Sequence, residues 1–126
     1  MRPAGWLALA LGAGVLLEPG AAWAQATRFD GNWSVLVVTE TGNCDRAYRY
    51  PVGVVGGIVR YTPQPGAPTV DLSGRVDANG RVNVRIRRGA DTLTAMGRIE
   101  DGRGSGTWRT PTRGCSGYWQ AERRGS

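Results

Sequence analysis

The side chains of this chain that can do chemistry are arginines, tyrosines, a few carboxylates and two cysteines. Its 126 residues include no histidine, so the group that most often moves protons near neutral pH or ligates first-row metals is missing. Acid–base chemistry would then fall to paired carboxylates. The nearest such pair, Glu100-Asp101, lies in a turn, where solvation is the simpler role. The cysteines lack CxxC spacing and a histidine partner, which argues against a reactive thiol. Haem would need an axial tyrosine or Met96. No catalytic residue, no metal site and no resident cofactor is expected, and the chain reads as a binding protein rather than an enzyme.

Export explains the cysteines better. Arg2, the apolar run 6–17, Pro19-Gly20 and Ala22-Trp23-Ala24 have the order of a signal peptide over residues 1–24, cleaved after Ala24. The apolar run is too short for a membrane span. Residues 25–126 suffice for one compact domain, and no second long apolar stretch follows. A periplasmic or secreted location is oxidising, so Cys44 and Cys115 are expected to form a disulfide that ties the region after the first strand to the region before the last. The net charge of +6 comes from arginine without any lysine. An exported basic domain meets acidic proteins, lipid head groups or polyanionic envelope polymers, and nucleic acid is a poor partner there.

The elements that must position these groups are strands. Alternation of apolar and polar residues marks 32–39, 46–54, 58–62, 69–76, 81–87, 92–99, 104–108 and 117–124. Gly56-Gly57, Asn79-Gly80, Gly89 and Asp101-Gly102 supply tight turns between them. The proline-rich stretch 63–68 is the longest loop, and Pro51 suggests a bulge or an edge. Residues 32–39 are apolar on both faces, which predicts close neighbours on each side. Eight such strands fit an all-β, eight-stranded antiparallel up-and-down barrel, with an incomplete barrel or a sandwich as alternatives. The predicted inner face mixes Trp33, Tyr48, Tyr50, Tyr61, Trp108 and Trp119 with several glycines and Ala95. Large and small residues alternating in this way predict a packed interior with little ligand space.

Gly-x-Trp occurs at Gly31 to Trp33, Gly106 to Trp108 and Gly117 to Trp119, and each indole is expected to close an end of the barrel. A first-strand Gly-x-Trp with an inward arginine, Arg123, on the last strand resembles the calycin superfamily of lipocalins, avidins, fatty-acid-binding proteins and bacterial metalloprotease inhibitors. The resemblance implies a cation–π closure of Arg123 over Trp33. The single disulfide and small interior look most similar to the inhibitors, whose N-terminal segment plugs a protease cleft; here that segment would be residues 25–29. FDGNW, YRYPV and SGTW also resemble small alphaproteobacterial exported proteins labelled haem utilisation or adhesion.

Two roles follow. The first is interaction with a protein or an anionic envelope component through the outer surface, with Arg81, Arg85 and Arg87 as a basic stripe on one strand. The second is binding of a small hydrophobic ligand or haem inside, with Tyr48, Tyr50, Trp108 and Trp119 as lining. Free volume in the interior separates them: a filled barrel favours the first role, and an open cavity the second.

Overall fold

A computed structural model describes residues 27–63, 65–66 and 69–125; the expected signal peptide, residues 1–24, lies outside them. The described chain is eight strands: β1 (Gly31–Thr41), β2 (Ala47–Val55), β3 (Ile58–Tyr61), β4 (Asp71–Val76), β5 (Arg81–Arg88), β6 (Asp91–Glu100), β7 (Arg103–Thr110) and β8 (Cys115–Gly125). Each pairs antiparallel with the next, and β8 returns to β1 to close the barrel. Closure removes the free edges that a sandwich or an open sheet would keep. A 3-10 turn at Pro111–Arg113 interrupts the predicted loop before β8.

Period-two patterning places the side chains. On β5, Val82, Val84 and Ile86 face in while Arg81, Arg85 and Arg87 stand exposed outside. Arginines facing out and aliphatics facing in are the reverse of a barrel that sits in lipid. Among the described residues no second layer covers β1, contrary to its two-faced apolar pattern. Leu36 and Val38 on the outside are half-buried, and their register partners are Arg49 and Gln120 for Leu36 and Tyr118 for Val38. Pro51 makes no bulge in the β1–β2 ladder; it sits just past the last β2–β3 pair, Val52 with Tyr61, where β3 has ended.

The Gly-x-Trp segments have two different jobs. Those on β7 and β8 pair with each other in reverse register, Gly106 opposite Trp119 and Trp108 opposite Gly117. Each indole lies where its partner strand has no side chain. A Cβ on Gly106 would come within 2.7 Å of Trp119 Cε2, and one on Gly97 within 2.5 Å of Trp119 Cζ2. The indole nitrogens are satisfied across the wall: Trp119 Nε1 donates to the Met96 carbonyl at 3.2 Å, and Trp108 Nε1 to the Val38 carbonyl at 3.0 Å. Trp108 and Trp119 therefore line the wall instead of closing an end: the Trp119 ring lies over Gly97, Gly104 and Gly106, where no side chain stands in its way, and Trp108 is tied to β1.

Among the described tryptophans only Trp33 closes an end. It is 2% exposed, and its Nε1 donates to the Phe29 carbonyl at 2.9 Å. Arg123 lies opposite Trp33 in the β1–β8 register with its guanidinium 5.0 Å from the ring, the expected cation–π contact. Its Nη2 donates to the Arg28 carbonyl at 3.0 Å. Phe29 is buried beneath this pair, and Asp30 Oδ2 accepts from the Gly56 amide at 3.0 Å, fastening the lead-in segment to the β2–β3 hairpin. Residues 27–30 are thus the barrel's own base, not a free tail for a protease cleft; residues 25–26 lie outside the described residues.

Cys44 and Cys115 form the disulfide across a sequence separation of 71 residues, with Cα atoms 6.2 Å apart. Two stability predictions follow from these contacts. Gly106→Ala forces its methyl into Trp119 and the Met96 carbonyl and should cost about 1–3 kcal/mol in urea unfolding, while Ser105→Ala on the exposed face next to it stays within about 0.5 kcal/mol. Replacing both cysteines by alanine should remove about 4 kcal/mol, as expected for releasing so long a loop.

Candidate functional site

The barrel is filled at one end and open at the other. At the base, Trp33, Val54, Val59, Val76, Val82, Ile99 and Ala121 are all buried. Toward the opposite end the same inward faces carry Val35, Val37, Val52, Leu72, Val84 and Leu93, which are only partly buried although they point into the barrel. Inward aliphatics stay accessible only where nothing fills the space between them. That space is a cavity of about 330 Å³. The predicted packed interior therefore holds for the base half alone. The Trp119 indole lies over glycines of β6 and β7 and the Trp108 indole is tied to Val38 on β1, leaving Val52, Leu72, Val84 and Leu93 only partly covered.

All four predicted lining residues, Tyr48, Tyr50, Trp108 and Trp119, face this cavity. Tyr48 and Tyr50 have ring centroids 4.8 Å apart, and Tyr61 meets Tyr50 edge-on at 6.3 Å. Tyr48 and Tyr50 are two positions apart on the inner face of β2, and β3 brings Tyr61 beside them because Val52 pairs with Tyr61. The result is an aromatic wall at the mouth, with Tyr48 half exposed. Burial is the main cause that raises the Tyr50 pKa above the usual phenol range; the Tyr48 and Tyr61 hydroxyls and Asp45 add to it, and Arg88 opposes it.

The rest of the rim is polar. Thr39, Asn43, Asp45, Arg88, Asp91 and Arg113 surround the opening, and the disulfide anchors the β1–β2 loop to the start of β8 beside it. Arg113 Nη1 lies 3.8 Å from Asp91 Oδ2. Arg88 was missed as a candidate because Arg88-Gly89-Ala90-Asp91 reads as a turn. The signal was present: continuing the period of Val82, Val84 and Ile86 puts residue 88 on the inner face. β5 extends through Arg88, paired with Asp91, so the guanidinium reaches the mouth.

The other predicted surface residues lie away from the cavity, and Arg85 lines an open outer groove with Arg60, Arg75 and Arg109. Arg81, Arg85 and Arg87 are exposed along the outside of β5, with Arg81 opposite Arg98 and Arg87 opposite Asp71. Met96 also points outward, 60% exposed, away from the cavity. Among the described residues no group of three histidine, cysteine or acidic side chains is placed to hold a metal ion.

Tyr50 yields a pH prediction. A phenol whose folded pKa is raised contributes stability that is intact below its unfolded value and lost as pH rises through the folded one. Urea midpoints should therefore fall more steeply above pH ~10 for the natural chain than for Tyr50→Phe; parallel curves would mean that Tyr50 ionises as freely folded as unfolded.

The chain matches no protein-family model, no curated protein and no solved structure, so the role of this site rests on its own geometry.

Proposed function

We propose that this is an exported, non-catalytic binding protein that holds a small, largely apolar ligand in the open half of its barrel. The observation that carries this reading is the apolar cavity of about 330 Å³, open at one end and sealed at the other. Ligand pockets run from about 300 to 1,000 Å³ and combine apolar walls with a few polar groups. This one lies at the small end, so its ligand is compact. Val37, Leu72, Val84 and Leu93 supply the apolar wall, and the tyrosines and charged rim supply the polar groups.

A sealed base favours retention over passage. Phe29, Trp33 and Arg123 block any route through the barrel, so the ligand enters and leaves at the disulfide end. The Cys44–Cys115 bond supports an oxidising location such as the periplasm or the exterior. The free volume ranks ligand binding above the surface role. Arg81, Arg85 and Arg87 alternate with core residues along one strand and serve as its solvated face.

The test is to fill the cavity. The natural chain should take up the neutral apolar probe N-phenylnaphthylamine with enhanced probe fluorescence, and decanol should displace it. Leu93→Trp, which projects an indole into the free space, should abolish uptake, while Arg85→Ala on the outside leaves it unchanged. Folded Leu93→Trp protein, checked by its thermal transition, that still binds the probe like the natural chain would sink the cavity reading.

A further inference from the structure

Resting on that reading of the cavity, we infer that the ligand is an amphiphilic acid: an apolar body in the barrel and an anionic head group at the mouth, held by Arg88 beside the Tyr48, Tyr50 and Tyr61 wall. The first ground is register. β5 delivers Val82, Val84, Ile86 and then Arg88 along one inward line, so a single strand runs from apolar floor to cationic rim. A ligand lying along that line meets carbon first and charge last.

The second ground is availability. Among the described residues, the Arg88 side chain has no ion-pair or hydrogen-bond partner. The other rim cation, Arg113, already faces Asp91 at 3.8 Å. A guanidinium offers five N–H donors in a fixed fork that suits a carboxylate, sulfonate or phosphate oxygen pair. Arg88 is exposed at the cavity mouth, so its donors are open to an arriving anion.

The third ground is the neighbouring chemistry. The Tyr50 hydroxyl, whose pKa is raised mainly by burial, keeps its proton at neutral pH and can donate it to an anion. Arg88 is close enough to Tyr50 to oppose the rise in its pKa, so cation and phenol address the same space. Asp45 is the one rim carboxylate without an ion-pair partner among the described residues. It lies on the β1–β2 loop, across the tyrosines from β5, and disfavours an acid placed on its own side. The head group is therefore directed toward Arg88.

The experiment compares decanoate with decanol as displacers of N-phenylnaphthylamine at neutral pH, in the natural chain and in Arg88→Gln. The expected result is that Arg88→Gln weakens decanoate by about tenfold or more, the loss of one charge-assisted contact, and leaves decanol and the probe unchanged. Arg85→Gln, on the outside of β5, should leave decanoate binding as it was. Undiminished decanoate binding in Arg88→Gln would overturn the acid assignment while the cavity reading stands on the probe and decanol. Failure of the natural chain to take up the probe or either displacer would instead overturn the cavity reading and this inference with it.

Discussion

The arrangement of this barrel depends on the exchange of bulk between two Gly-x-Trp segments that face each other on β7 and β8. In a closed barrel of this size the interior is narrow, and an indole on one strand needs a missing side chain on the next. Gly106 opposite Trp119 and Gly117 opposite Trp108 meet that need in both directions at once. Both indoles then lie along the wall, and both ring nitrogens reach backbone carbonyls on strands one step further round, Met96 on β6 and Val38 on β1. A buried indole N–H left without a partner would cost about 1–3 kcal/mol. The same geometry opens the centre, since both indoles are tied by their ring nitrogens to the barrel wall.

The third tryptophan works at right angles to that logic. Trp33 is capped by Phe29 below and by the Arg123 guanidinium, and the lead-in segment is fastened to the β2–β3 hairpin through Asp30. The cation is half-buried; it contacts the indole face and its Nη2 donates to the Arg28 carbonyl, while its Nε is buried without a hydrogen-bond partner among the described residues. A sealed base and an empty upper half make the barrel a cup. Its rim is where polarity collects, because inward positions near a strand end face water and no longer need to be apolar. Tyr48, Tyr61 and Arg88 all sit at such ends, and the disulfide holds the β1–β2 loop at the same level.

Much of this was legible from the chain. The alternating faces of β4, β5 and β6, the Asn79-Gly80 turn and the spacing of the eight strands announce an antiparallel barrel, because side-chain period and turn chemistry are local properties. Cys44 with Cys115 followed from there being only two cysteines in a chain whose first residues read as an export signal. The Trp33–Arg123 contact was legible through resemblance. Three misreadings have a common origin. The packed interior, the end-closing role of Trp108 and Trp119, and the assignment of Arg88 to a turn each required knowing how neighbouring strands align. Size alternation within a strand gives the volumes present, but not whether a large residue faces a gap or another large residue across the ladder.

The sequence by itself determined the strand count, the inward and outward faces, the disulfide and the absence of histidine chemistry, since all of these are set by residue type and by spacing along one chain. Register, and with it the cavity, was decided only in three dimensions. Gly106 meets Trp119 across 13 positions, Val52 meets Tyr61 across a hairpin, and Arg88 rises over the mouth because β5 runs one residue further than its turn signal suggests. Those alignments come from closing eight strands into a single ladder, a constraint that no one strand carries.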